Sequence, residues 1–113
     1  MNSAFQTQEL PTLSDLRLDH FTPLIGSEFS LQLPEGGTII LELDEARAFD
    51  RYDLQEGFRR PFSVIFRCPT LPANQYLRQG TYRIQQHRLG TFDILITPIT
   101  PDSSGMRYEA VFS

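Results

Sequence analysis

The chain has 113 residues, 40% of them hydrophobic and 21% charged, with a formal net charge of −4. That length suits one domain, and a domain of this size buries roughly two-thirds of its unfolded-chain surface without help from a metal or a disulfide. The single cysteine, Cys68, excludes an intrachain disulfide and any CxxC zinc site, and no run approaches the ~20 apolar residues that span a bilayer.

Every basic residue is arginine. Codon usage explains this as readily as an interface does, although arginine's planar fork suits bidentate contacts and stacking. The acidic balance argues against nucleic acid, which needs a concentrated basic face. The opening MNSAFQTQELPTL has neither a basic start nor an apolar run of signal-peptide length, so a cytoplasmic location is expected.

Residues 1–12 are polar apart from Phe5 and Leu10 and read as a loose N-terminal arm; residues 13–113 read as a single β domain. Thr12 to Asp15 fits the [ST]xx[DE] capping pattern, and Asp19 is a second candidate N-cap, with Gly26 as a stop. One short helix within 13–25 is predicted, packing Phe21, Leu24 and Ile25 over an open end of the sheet. Phe29, Leu31 and Leu33 then alternate with polar residues, and after PEGG so do Ile39, Leu41 and Leu43. A three-residue loop, Glu35 to Gly37, would set Leu31 against Leu41 and Phe29 against Leu43.

From Glu45 to Arg60 the alternation is lost, although the front of the segment can prolong the strand. The rest reads as a long exposed connection, a kind of segment that often carries function. Phe49, Arg51, Tyr52, Phe58, Arg59 and Arg60 give it the composition of a protein-contact surface. A solvated loop that tucks one or two of these aromatics onto the barrel is the plainer reading.

Phe62, Val64 and Phe66 mark a central strand that ends at Cys68-Pro69. Residues 70–79 form a crossing loop. The stretch from Gly80 to Pro98 is the clearest hairpin: Tyr82, Ile84 and Gln86 alternate on one side of the turn, Phe92, Ile94 and Ile96 on the other. A three-residue loop, Arg88 to Gly90, sets Ile84 against Ile94 and Tyr82 against Ile96, with Gly90 left-handed. Thr100 to Gly105 is a turn cluster, and the last strand presents Tyr108, Ala110 and Phe112 inward. Six strands in this order predict an all-β fold, a small antiparallel barrel or tight sandwich with one short N-terminal helix.

Catalytic constellations are sparse. His20 and His87 lie far apart, no metal-ligand spacing or GxSxG is present, and no phosphate-binding loop forms. Cys68 before a proline reads as a small buried hydrophobe; a dyad with His20 or His87 is the enzymatic alternative. No cofactor or metal ligand set is expected.

Three stretches, PFSxxFR from Pro61 to Arg67, QGTYR with LGxFDxxxxP between Gln79 and Pro98, and RYEAVF from Arg107 to Phe112, together resemble a family of short bacterial proteins carrying a domain of unknown function. HFTPLIGSEFSL resembles that family's opening. The resemblance implies a bacterial or phage-derived protein, encoded near phage-tail collar-type genes, with an accessory role in a tail or fibre assembly. The family usually has glycine where this chain has Cys68, and it carries over no catalytic residue.

Three functional readings follow. The first is a non-enzymatic structural or interaction module with protein partners, open to oligomer formation and to incorporation into a phage-like particle. The second is a small-molecule or carbohydrate-binding barrel whose mouth is lined by Tyr52, Tyr76 and arginines. The third is a cysteine-dependent enzyme.

Overall fold

The computed structural model describes residues 15–49, 61–69, 77–103 and 105–112. The strands are β1 (Glu28–Gln32), β2 (Thr38–Ala48), β3 (Phe62–Cys68), β4 (Gly80–Gln86), β5 (Gly90–Asp102) and β6 (Gly105–Phe112). They close into a barrel in the order β1-β2-β3-β6-β5-β4, every pairing antiparallel. Of the two predicted architectures, the barrel is the one formed. It is two three-stranded meanders, β1-β2-β3 and β4-β5-β6, clasped along two seams. The β3–β6 seam runs the length of both strands, from Phe62 opposite Phe112 to Cys68 opposite Met106. The β1–β4 seam is held by Ser30 opposite Gln85 and Leu31 opposite Ile84.

Alternation sets the inside. Phe29, Leu31, Leu41, Leu43, Phe62, Val64, Phe66, Tyr82, Ile84, Phe92, Ile94, Ile96, Tyr108, Ala110 and Phe112 all point into one buried core, joined by Cys68 and Met106. An eight-stranded barrel is just wide enough for side chains to fill, so six strands carrying this many large residues leave the axis occupied.

Both hairpins keep the predicted faces but differ in register by two residues. Leu31 lies opposite Ile39 and Phe29 opposite Leu41. The first turn spans Leu33 to Gly37, where the Leu33 N–H donates to the Gly37 carbonyl and the Gly36 N–H to the Leu33 carbonyl, each at 3.0 Å. Gly36 and Gly37 are both left-handed, φ 103° and 86°, and two such residues in succession make a wider loop than the one predicted. In the second hairpin Ile84 lies opposite Phe92 and Tyr82 opposite Ile94. Gly90 is left-handed as predicted, φ 89°, but it opens β5, and the loop is His87 to Leu89. Gln86 explains the shift. Its buried Oε1 accepts from the Arg88 and Leu89 N–H groups at 2.6 and 2.9 Å, which closes the turn one residue early. A two-residue slip preserves the inward set, whereas a one-residue slip would invert it.

The loss of alternation after Leu43 has a local cause. The β2–β3 register shifts between Leu43 and Glu45, so Asp44 is the extra residue of a β-bulge and the inward parity changes from odd to even. Ala46 then packs against the core, and β2 continues to Ala48. The connection predicted over 45–60 is therefore shorter, and its residues 50–60 lie outside the described ones, as do the arm at 1–12 and most of the crossing loop. The turn expected at Thr100–Gly105 is also tighter, because β5 runs on to Asp102. Beyond Ile96 that strand pairs with β6 alone, and there the missing N–H groups of Pro98 and Pro101 sit on a strand with one free side.

One end of the barrel is stoppered by helix α1 (Leu18–Phe21) and a 3₁₀ turn, Thr22–Leu24. Pro23 fits the first turn of the 3₁₀ segment. The N-cap is Arg17, whose N–H donates to His20 Nδ1 at 2.9 Å; Asp19 lies within the first turn and caps nothing. The [ST]xx[DE] pattern begins at Thr12, outside the described residues. Leu16, Phe21 and Leu24 are buried, but Ile25, expected to pack with them, is 47% exposed, because the chain turns outward there to enter β1 through left-handed Gly26. Phe21 stands among Phe112, Phe62, Phe29 and Phe92, with ring centroids 5.1, 5.8, 6.3 and 6.4 Å away. Burying such a ring contributes about 1.5–3 kcal/mol. Among the described residues no helix is long and apolar enough to cross a membrane.

Candidate functional site

With the axis filled, the outer wall and the two ends remain. On the wall, β3 and β6 place Arg67 directly opposite Arg107. Two like charges side by side repel unless carboxylates intervene, and here the bulge and the end of β5 supply them. Arg67 Nη2 donates to Asp102 Oδ2 at 2.7 Å and to Asp44 Oδ2 at 3.1 Å. Arg107 Nη2 donates to Glu45 Oε2 at 3.4 Å, and its Nε lies 3.9 Å from Asp102 Oδ2, too far for a hydrogen bond. The Asp102 hydrogen bond raises the Arg67 pKa, against desolvation, with Asp44 adding to the rise. The Nε atoms of both arginines are buried and without a hydrogen-bond partner. The bulge at Asp44 and the outgrown β5–β6 hairpin are thereby pinned to one strand pair. A second ion pair, Arg83 with Asp93 at 2.9 Å, crosses the β4–β5 hairpin in the open and holds the Asp93 carboxyl below the usual carboxylate range. Leu95 and Val111, 49% and 54% exposed, are the large apolar residues the wall presents. Ser63 and Ile65 also stand on the outward parity of β3, yet both are buried, and Ser63 Oγ has no hydrogen-bond partner.

Toward the far end the hydroxyls of two core tyrosines find backbone partners. Tyr108 Oη accepts from the Leu77 N–H at 2.9 Å, and Tyr82 Oη donates to the Arg78 carbonyl at 2.7 Å. Burial raises the Tyr108 pKa, while the Leu77 hydrogen bond lowers it. Cys68 is buried, with its thiol Sγ 3.6 Å from the Ile40 carbonyl, the small hydrophobe its sequence context predicts. The strands order the histidines away from it. His20 is on the stopper, next to Phe21, whose ring packs on Phe62 and Phe112, and His87 follows the end of β4 that pairs with the start of β5. Cys68 sits at the opposite end of β3, so neither dyad is assembled.

Of the predicted contact surface, Phe49 is half-buried just past β2, its N–H donating to the Pro61 carbonyl at 3.0 Å. Arg51, Tyr52, Phe58, Arg59 and Arg60 lie outside the described residues, as does Tyr76. The Arg67–Arg107 cluster was not predicted. Its members are separated by most of the domain in sequence, and only the β3–β6 pairing brings them together. The one local signal was an arginine on the outward parity of each strand. Among the described residues no group of His, Cys, Asp and Glu side chains is placed to hold a metal ion.

No curated protein and no solved structure matches the chain. A family model does match, over residues 16–112, which takes in the stopper and all six strands. The chain belongs to the family described as Domain of unknown function (DUF6916).

Proposed function

We propose that this barrel is a non-enzymatic interaction module that works through its outer wall and exposed connections as part of a larger protein assembly. The observation that carries the reading is the filled axis. Phe21 stoppers one end, Tyr108 and Leu77 lie buried toward the other, and large side chains occupy the space between. A small-molecule barrel needs an unfilled mouth, and this one is taken by the chain's own phenylalanine. Among the described residues, what the fold leaves open to recognition is surface: the arginine–carboxylate cluster and the exposed Leu95 and Val111; the arginine-aromatic residues between β2 and β3 join them on composition alone. The finer reading is an accessory component of a phage-tail-like or fibre assembly, which the sequence resemblance supports.

The test is co-purification of the tagged full chain from its native cell, quantified against two variants. One carries Arg51→Ala, Tyr52→Ala and Phe58→Ala; the other carries Leu95→Glu and Val111→Glu. Substitution is preferable to deleting 48–58, because Ala48 belongs to β2 and Phe49 is tied to Pro61. Stoichiometric protein partners lost in either folded variant support the module, and tail or fibre proteins among them support the finer reading. A chain that recovers no partner, or one that both variants recover equally, would refute the wall as the working surface.

A further inference from the structure

We draw no further inference here: the strongest candidate, the outward face of β3 where Ser63 and Ile65 are buried against their parity, carries nothing, because nothing among the described residues shows what covers it.

Discussion

Tyr108→Phe isolates one hydrogen bond in the core. The ring keeps its packing and only Oη is lost, leaving the Leu77 N–H, which now donates to it at 2.9 Å in a buried setting, with no acceptor. An unmet buried donor costs about 1–3 kcal/mol. For a domain near this size each kcal/mol lowers the thermal midpoint by roughly 4–8 °C, so a fall of roughly 4–24 °C is expected. Tyr82→Phe is the internal control. It removes a comparable bond to the Arg78 carbonyl, but Arg78 is exposed, and water can replace the lost donor at a cost of about 0.5–1 kcal/mol. Urea denaturation should show the Tyr108→Phe midpoint well below that of Tyr82→Phe, with the slope of both unchanged. Equal midpoints, or a changed slope for Tyr108→Phe alone, would refute the claim that this bond is buried and unreplaced.

The same hydroxyl makes a statement about alkali. Burial raises the Tyr108 pKa above its usual value near 10.0, so above that pH the unfolded chain sheds the proton first and stability falls as pH rises; the Phe variant should lose that part of the fall in alkaline denaturation curves. At the acid end, Arg83 depresses the Asp93 carboxyl below its usual 3.8 or so. The pair therefore stabilises the fold above that value and ceases to as pH falls through the depressed one, and NMR titration of Asp93 should show a return to the ordinary range in Arg83→Gln. Ser63→Ala removes a buried hydroxyl without a partner and should leave stability unchanged or raise it by up to about 1 kcal/mol in urea, where most buried-to-alanine changes lower it.

What could be read from the sequence divides along the difference between parity and register. Parity needs only neighbours: Phe62, Val64 and Phe66 announce their face within one strand, and the inward residues predicted on the strands are buried apart from Leu33 and Ile39, which are partly so. Register depends on atoms that a pattern does not contain. The Gln86 side chain decided where one turn closed, and two left-handed glycines decided the other. The Asp44 bulge defeated even parity, because a single extra residue turns an alternating strand into something that resembles a loop. The outer arginine cluster was out of reach for another reason. Arg67 and Arg107 meet only after two separate meanders have clasped, and no local signal encodes that.

The two seams also bear on how the barrel can form. Within each meander every pairing joins consecutive strands, so hairpins can zip locally and early. Both seams join strands of different meanders, and loop-closure entropy must be met before either is rewarded. The β3–β6 seam offers a full-length ladder and the stacked pair Phe62–Phe112, centroids 4.6 Å apart, against two partners at β1–β4. The long seam is therefore the natural nucleus for joining the meanders, with the short one sealing last. If so, Ala110→Gly on β6 should mainly slow folding and Ser30→Gly on β1 should mainly speed unfolding, and stopped-flow chevrons of the two variants would reveal a reversed order.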